Sequence, residues 1–299
     1  MNRTTYIGRF APSPTGPLHF GSLVAALASY LDARANQGQW LVRMEDIDPP
    51  REQPGAADLI LQALDSYGMH WDGEVLYQSQ RNDAYKAAIN ELCDSGQLYA
   101  CTCSRKELQP YEGVYPGLCR GQTDIPDKPY ALRVQCDDKE IIFDDLIQGL
   151  QTFSLPDLGD FILQRKEKLY AYQLAVCVDD EFQGVTHIVR GHDLLDSTPR
   201  QIYLQSLMDI HTPVYAHIPV ITQANGDKLS KQNLAPALPL DDPRPLLVKA
   251  LLALGQKPPV DLQSSSTENI LQWGINNWQL SDISHKASIP LAVLSGQDV

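Results

Sequence analysis

Three charged residues, Arg9, Glu45 and Arg190, each stand at the end of a stretch whose residue pattern is typical of a buried β-strand. The planar guanidinium group of arginine binds a carboxylate through two parallel hydrogen bonds, and a carboxylate suits an ammonium group. In open α/β sheets, ligands bind at the carboxyl ends of the strands. The three residues together therefore suit a small molecule with two carboxylates and one ammonium, although each charge taken alone is more typical of a surface ion pair.

A loop rich in proline and glycine runs from Arg9 to Ser22 and joins the first predicted strand to a predicted helix. The start of a helix presents N–H groups without partners and the positive end of the helix dipole, which both favour phosphate. Gly21 has no Cβ, so a base or a phosphate can approach its backbone closely. His19 can donate a hydrogen bond to a phosphoryl oxygen. The alternative interpretation is a simple turn with an incidental histidine.

A second cationic segment, Lys228-Leu-Ser-Lys-Gln232, lies far downstream in a loop rich in Gly, Asn and Asp. Negative charge builds on the α-phosphate and on departing pyrophosphate when a carboxylic acid is adenylated, and a positioned lysine stabilises that charge. Taken alone, this tetrapeptide pattern is more typical of a solvated loop.

Together and in this order, the two segments resemble the H-I-G-H and K-M-S-K-S signatures of the class I glutamyl- and glutaminyl-tRNA synthetases. Ser22 replaces the second histidine of the first signature, and Gln232 replaces a residue that is usually basic or carries a hydroxyl. The resemblance implies a Rossmann-type α/β fold, ATP as a substrate with Mg²⁺ bridging its phosphates, and an aminoacyl-adenylate stabilised by the catalytic residues His19 and Lys231. The ATP-binding residues that it implies are His19, Gly21, Ser22, Lys228, Ser230 and Lys231.

The same resemblance implies that L-glutamate is the amino acid. The arginines would bind its two carboxylates, Glu45 would bind its α-ammonium, and Tyr172 would pack on it. A side-chain general base is not required, because the attacking carboxylate is already ionised. The glutamate-binding residues that the resemblance implies are Arg9, Phe10, Ala11, Pro12, Ser13, Glu45, Tyr172 and Arg190.

Three of the six cysteines, Cys101, Cys103 and Cys119, lie close together in the sequence. Clustered cysteines in an intracellular enzyme indicate a metal site more than disulfides, and structural zinc takes four ligands in a tetrahedron. Tyr115 is the candidate fourth ligand, with water or Glu112 as alternatives, and three unligated thiols remain the plain alternative. The pattern resembles the zinc insertion of glutamyl-type synthetases, so we expect one structural Zn²⁺.

The elements that must position these residues alternate between strand and helix, which favours a parallel α/β sheet. The strands are predicted at 4–10, 39–44, 186–190 and 214–221, with antiparallel strands at 131–134, 141–143 and 160–164. The helices are predicted at 21–35, 56–67, 83–93, 172–178, 198–208, 243–254 and 268–273. Four parts follow from this division: a first half of the Rossmann core (1–97), a zinc-containing, acceptor-like insertion (98–165), a second half (166–240) and a short helical region (241–299).

Two local patterns and the length after Lys231 narrow the expected acceptor. The family's R-x-E-D-T-D pattern appears at residues 43–48 as Arg-Met-Glu-Asp-Ile-Asp. Its R-G-x-D-H-x-x-N-T-P-R-Q pattern appears at residues 190–201, where Leu194 replaces a histidine and Asp196-Ser197 replaces other polar residues. The chain after Lys231 is too short for the anticodon-binding region of full-length enzymes. These features resemble a shortened branch of the family that transfers glutamate to queuosine, at the wobble position of tRNA(Asp).

The net charge of −13 argues against nonspecific nucleic-acid binding, and therefore against DNA as a partner, but it leaves room for a local basic groove. The absence of a long apolar run and of a signal-peptide core leads us to expect a cytoplasmic protein, away from membranes. The sequence does not indicate an oligomeric state, and a monomer is the default expectation. The rival functions are a short glutamyl-tRNA synthetase that esterifies a tRNA 3′ end, a non-catalytic RNA-binding paralogue, and an amino-acid ligase with an acceptor other than tRNA.

Overall fold

Parallel strands and helices alternate along the chain in the order that the sequence pattern predicts. The structure is a computed structural model, and it describes residues 5–111, 113–122, 126–223, 226–229 and 235–294. The strands are β1 (Ile7–Phe10), β2 (Gln39–Met44), β3 (Leu76–Tyr77), β4 (Leu98–Cys101), β5 (Ala131–Val134), β6 (Glu140–Asp145), β7 (Gly149–Ser154), β8 (Phe161–Gln164), β9 (His187–Gly191), β10 (Val214–Ile218), β11 (Val220–Thr222) and β12 (Ser288–Pro290). The helices are α1 (Phe20–Ala35), α2 (Ala56–Ser66), α3 (Asn82–Asp94), α4 (Arg105–Leu108), α5 (Leu155–Leu158), α6 (Tyr172–Phe182), α7 (Thr198–Leu207), α8 (Arg244–Ala253) and α9 (Thr267–Asn277).

The parallel strands form two ladders that meet along β1. One ladder has the order β1-β2-β3, and the other has the order β7-β6-β10-β9, in which β7 is antiparallel to β6. Strand β9 lies beside β1, because the backbone N–H of Thr186 donates to the carbonyl oxygen of Ile7 at 2.9 Å. Strand β2 therefore lies on one side of β1, and strands β9 and β10 lie on the other side. Such a reversal of strand order is where open α/β sheets form their ligand crevice.

Helix α1 covers this sheet with a continuous apolar face. Leu23, Leu27 and Leu31 recur every four residues, lie on one side of the helix, and are at most 1% exposed. Burying each leucine contributes about 1.5–3 kcal/mol relative to exposure. The helix start, where the predicted phosphate loop ends, is thereby fixed against the sheet.

A second sheet lies in the predicted insertion. Its order is β4-β5-β8, and both pairings are antiparallel. The insertion also contains the short helix α4, which was not predicted and which begins with a capping box between Ser104 and Glu107. Strand β6, by contrast, pairs with β10 of the parallel ladder. The division of the chain into four parts stays a prediction.

The C-terminal part is tied to the core by polar and strand contacts. The indole N–H of Trp278 donates to buried Asp32 of α1 at 2.8 Å, and Asp32 also accepts from the hydroxyl of Tyr6. Strand β12 pairs in parallel with β11, a pairing that the sequence pattern did not indicate. Helix α9 matches the helix predicted near 268–273, and in the structure it begins one residue earlier and ends four residues later.

Most predicted elements are present, and the errors have local causes. Strand β2 and strand β5 have the predicted bounds, and helix α1 begins one residue before the predicted start. The prediction of a single strand over 214–221 is wrong, because Pro219 has no N–H to donate and separates β10 from β11. Strand β7 was not predicted. Among the described residues, no helix has the length and apolar character that crossing a bilayer requires.

Candidate active site

The three charged residues singled out in the sequence line one cleft at the carboxyl ends of β1, β2 and β9. Arg9 lies in β1, Glu45 directly follows β2, and Arg190 lies in β9. The cleft has a volume of about 570 Å³, which is ample for an amino acid beside a nucleotide. The predicted residues that line it are Arg9, Phe10, Ala11, Pro12, Ser13, His19, Gly21, Ser22, Glu45, Tyr172, Arg190 and Lys228.

Arg9 is held from behind by a buried carboxylate. Asp180 of α6 accepts from Arg9 Nε at 3.2 Å and from Arg43 Nη1 at 2.8 Å. Burial opposes ionisation of Asp180, but the two guanidinium groups outweigh it and hold the pKa of this carboxyl below its usual value. Asp180 therefore offsets one of the two positive charges and fixes the position of both arginines.

Glu45 shares this buried network. Its carboxylate lies 3.5 Å from Arg43 Nη2 and its side chain is 9% exposed. Burial raises the pKa of Glu45, although Arg43 and Arg9 act against that rise. A carboxylate that is poorly hydrated gains strongly from an ammonium group placed beside it, because few water contacts are lost when the pair forms.

Arg190 differs from Arg9 in its partners. Its Nη2 donates to Thr198 Oγ1 at 2.8 Å and its Nε donates to His217 Nε2 at 3.0 Å. Its Nη1 lies 3.4 Å from the Tyr172 hydroxyl, which sits on the cleft wall. Burial raises the pKa of Tyr172, so its phenol stays neutral.

The backbone from Ala11 to Ser13 is fixed by its neighbours. The N–H of Glu45 donates to the carbonyl oxygen of Pro12 at 3.0 Å, and the N–H of Thr15 donates to that of Ser13 at 2.8 Å. The first bond ties the loop after β1 to the end of β2. The loop after β1 and the end of β2 therefore form one connected wall of the cleft.

The predicted phosphate loop leads into the amino end of α1. His19 is the N-cap, and its Nδ1 accepts from the N–H of Ser22 at 3.2 Å. Because Nδ1 is an acceptor, the proton of a neutral His19 lies on Nε2, where it can be donated to a ligand. A Cβ on Gly21 would lie 3.2 Å from the His19 ring and 3.7 Å from the carbonyl oxygen of Leu229, so glycine permits this close packing.

The second signature reaches the same cleft through its first residue. Lys228 Nζ lies 2.5 Å from a carboxylate oxygen of Asp193, just after β9. The backbone N–H of Leu229 donates to Ile221 at 2.8 Å, which places the start of the segment beside β11. The predicted residues Ser230 and Lys231 lie outside the described part of the chain.

The predicted zinc ligands lie together. The Sγ atoms of Cys101, Cys103 and Cys119 are all within 4.8 Å of one another, and Cys103 Sγ lies 3.5 Å from Cys119 Sγ. The Tyr115 hydroxyl lies 3.4 Å from Cys101 Sγ and 3.6 Å from Cys103 Sγ. Burial raises the pKa of Cys103 to about 11, whereas burial of Cys119 is outweighed by hydrogen bonds from Tyr115 and from the Thr102 backbone, which lower its pKa to about 7. Glu112, the alternative ligand, lies outside the described residues.

Sequence reasoning missed the residues that hold the two arginines from behind, Asp180, His217 and Asp145. Asp180 lies between Asp179 and Glu181, directly after the apolar part of α6, whereas His217 lies in the apolar strand β10. A titratable residue within a buried apolar strand is a signal that could have found His217. Their partners are distant in sequence, so the contacts themselves could not be predicted.

The chain belongs to the class I tRNA synthetases of the glutamyl and glutaminyl type, because the family model "tRNA synthetases class I (E and Q), catalytic domain" matches residues 6–115 and 120–286. The Glutamyl-Q tRNA(Asp) synthetase of Pseudomonas fluorescens is 55% identical to it over 98% of this chain and 98% of that protein. The protein of the same name from Ectopseudomonas mendocina is 53% identical, over 97% of this chain and 99% of that protein. The family predicted from the two signatures is thus confirmed.

Solved structures agree on the fold. The glutamate-tRNA synthetase of Elizabethkingia anophelis superimposes with a TM-score of 0.80 at 24% identity, covering 95% of this chain and 68% of that chain. A glutamate tRNA ligase from Elizabethkingia meningosepticum, solved in complex with its amino acid, gives a TM-score of 0.79 at 25% identity, over 95% of this chain and 66% of that chain. The predicted class I α/β fold with parallel strands is therefore confirmed.

Proposed function

We propose that this chain uses ATP to activate L-glutamate as glutamyl-adenylate, and then transfers the glutamyl group to the queuosine base at the wobble position of tRNA(Asp). The observation that carries the first half is the placement of Arg9, Glu45 and Arg190 on one cleft beside the amino end of α1. The second half is supported by the relatives named Glutamyl-Q tRNA(Asp) synthetase, which match this chain along nearly its whole length.

The chemistry follows from the charges around the cleft. Arg9 and Arg190 bind the two carboxylates of glutamate, Glu45 binds its ammonium, and the Tyr172 ring packs on it. The α-carboxylate oxygen attacks the α-phosphorus of ATP, and the bond to the β-phosphate oxygen breaks with release of pyrophosphate. A hydroxyl oxygen of queuosine then attacks the carbonyl carbon, its proton passes to solvent, and AMP leaves.

The first step develops negative charge on the phosphates. His19 donates from Nε2, and the amino end of α1 with Ser22 adds its backbone dipoles. Lys228 and Lys231 supply positive charge to the phosphates, and Ser230 contributes a hydroxyl. Mg²⁺ enters with ATP, since in nucleotide sites this ion is held largely by phosphates and water.

We also propose a structural zinc ion bound by Cys101, Cys103 and Cys119, with Tyr115 as the fourth ligand. A tetrahedral site with Zn–S bonds of about 2.3 Å needs sulfur atoms about 3.8 Å apart, which the present spacing nearly meets. Bound zinc would cross-link the start and the end of this loop-rich segment. It lies apart from the residues of the cleft, so its role is structural.

The monomer is the acting unit in this proposal. ATP, glutamate and tRNA meet in the cytoplasm, where we expect the enzyme to act. The rival that esterifies a tRNA 3′ end shares the activation step and differs in the acceptor.

Amino-acid-dependent exchange of pyrophosphate into ATP tests the activation step. The proposal predicts exchange with glutamate, and much less with aspartate or glutamine at equal concentration, because aspartate is too short to span both arginines and glutamine lacks the second charge. Arg190→Gln should abolish the exchange, whereas Arg244→Gln, which changes a surface arginine paired with Asp242, should leave it unchanged. Equal exchange with glutamate, aspartate and glutamine would refute the proposed activation.

A further inference from the structure

A buried chain of three side chains runs from the middle of the parallel ladder to the cleft. Asp145 ends β6, His217 lies in β10, and Arg190 lies in β9, so the chain crosses three neighbouring strands. The side chains of Asp145 and His217 have no exposed surface, and Arg190 is 4% exposed. Asp145 and His217 do not line the cleft themselves.

The contacts of Asp145 determine which nitrogen of His217 carries the proton. Its Oδ1 accepts from the backbone N–H groups of Ile147, Gln148 and His217, at 3.0, 2.9 and 3.1 Å. Its Oδ2 lies 2.5 Å from His217 Nδ1. Burial opposes ionisation of Asp145, but these hydrogen bonds outweigh it and lower its pKa, so the group is an ionised acceptor. The proton of His217 must therefore lie on Nδ1.

A neutral His217 then presents a lone pair to Arg190. Burial lowers the pKa of His217, and Arg190 and His192 act in the same direction, whereas Asp145 acts against them. With the proton on Nδ1, Nε2 is an acceptor, and it receives the Nε–H of Arg190 at 3.0 Å. The tautomer imposed by Asp145 thus decides whether Arg190 has a partner at this position.

The two arginines of the cleft are consequently in different electrostatic states. Arg9 touches the carboxylate of Asp180 directly. Arg190, among the described residues, hydrogen bonds to neutral groups: His217, Thr198, Tyr172 and the backbone of Leu194. Its positive charge is therefore oriented by the protein without being neutralised by a carboxylate in contact, which leaves that charge for the ligand.

We propose that Asp145 and His217 form a positioning dyad that fixes the histidine tautomer, and thereby holds Arg190 oriented and un-neutralised for a substrate carboxylate. The proposal rests on the proposed function, in which Arg190 binds glutamate. The dyad touches neither substrate nor nucleotide, so its effect is confined to the affinity for the amino acid.

Asp145→Asn tests this without changing the shape of the site. The three backbone N–H groups keep the asparagine carbonyl at the Oδ1 position, so its NH₂ group faces His217 Nδ1. The histidine proton must then move to Nε2, where it meets the Nε–H of Arg190. The Nε–H of Arg190 then loses Nε2 of His217 as its acceptor, which weakens the binding of the substrate carboxylate. We therefore expect the KM for glutamate to rise by about 5- to 150-fold. The KM for ATP should stay within about twofold.

Substitutions of His217 by glutamine and by asparagine form a matched pair, because their side-chain amides lie at different distances from the backbone. The terminal amide of His217→Gln lies near the place of Nε2 and can accept from Arg190. That of His217→Asn lies near the place of Nδ1, so it can donate to Asp145 but cannot reach Arg190. We expect His217→Gln to keep most of the affinity for glutamate and His217→Asn to lose it. Equal losses in the two variants, with ATP unaffected, would overturn the proposal, as would a wild-type KM in Asp145→Asn.

A spectroscopic readout separates the dyad from the activity. In ¹⁵N-histidine-labelled protein, the His217 signals, identified by their loss in His217→Gln, should report a proton on Nδ1 in the wild type and on Nε2 in Asp145→Asn. A proton on Nε2 in the wild type would overturn the dyad regardless of any activity. Absence of glutamate-dependent exchange in the wild type would refute the proposed function instead. If Asp145→Asn does not fold, the two variants at position 217 decide.

Discussion

Removing the negative charge of Asp180 should expose how much the fold depends on the network behind Arg9. The side chain of Asp180 is 3% exposed and that of Arg43 is fully buried, with 2.8 Å between them. Asp180→Asn keeps the shape and one acceptor oxygen. It leaves two buried guanidinium groups, and among the described residues the remaining carboxylate in contact with them is Glu45, 3.5 Å from Arg43.

The expected magnitude follows from this burial. Removing one partner of a buried ion pair typically destabilises a protein by about 3–5 kcal/mol, because the other charge stays buried and uncompensated. With a urea m-value of about 3 kcal/mol/M, this loss lowers the unfolding midpoint by about 1 M or more. Arg9 also loses its anchor, so the KM for glutamate should rise.

Urea unfolding, followed by circular dichroism, measures the effect. The matched control is Asp242→Asn, which removes a carboxylate from an exposed pair with Arg244 whose side chains are both 44% exposed. Its midpoint should equal that of the wild type, because exposed pairs contribute little. If Asp180→Asn unfolds at the same urea concentration as Asp242→Asn, the charge network does not stabilise the fold and the reasoning is refuted.

Three further predictions concern the loop, the metal and pH. Lys231→Ala should slow pyrophosphate exchange strongly with little change in glutamate binding, measured by calorimetry, because this cation acts on the phosphates. Cys103→Ser should lose the zinc that metal analysis finds in the wild type, whereas the exposed Cys93→Ser should keep it. Stability should fall as the pH drops below about 6.5, since the unfolded chain then takes up a proton that buried His217, with its lowered pKa, does not. Unfolding midpoints at pH 7.5 and 5.5 should differ less in His217→Gln.

Each of these predictions has a result that would contradict it. Unchanged exchange in the variant would remove Lys231 from the chemistry. Equal zinc content in the two cysteine variants would remove Cys103 from the metal site. The loss of stability at low pH is compared between the wild type and His217→Gln, because His187, whose pKa is also lowered by burial, contributes to that loss in both proteins. An identical loss of stability in wild type and His217→Gln would exclude His217 as its source.

Local pattern was enough to predict the elements that carry the site. The short apolar run in β2 and the four-residue spacing of Leu23, Leu27 and Leu31 in α1 mark the buried parts of these elements, and both patterns can be read from the sequence. The break between β10 and β11 at Pro219 was not predicted, because residues 214–221 form a largely apolar stretch that is typical of a single strand.

The supports of the site could not be predicted in the same way. Asp180 lies 171 positions from Arg9, and Asp145 lies 72 positions from His217. The residues next to each of these positions do not indicate which strands will be neighbours in the sheet. The pairing of β11 with β12 is missed for the same reason, since parallel strands are joined by long connections. The family resemblance gave the residues that face the cleft, and the structure added those that hold them in place.

Transfer of labelled glutamate to tRNA(Asp) is the decisive measurement for the proposed acceptor. The enzyme is incubated with ATP and [¹⁴C]glutamate, together with tRNA(Asp) that either carries or lacks queuosine, and the labelled tRNA is cut with nuclease. We expect label on the queuosine-containing tRNA alone, in the fragment that holds the anticodon. Label at the 3′ end, or equal label on both tRNA preparations, would contradict it.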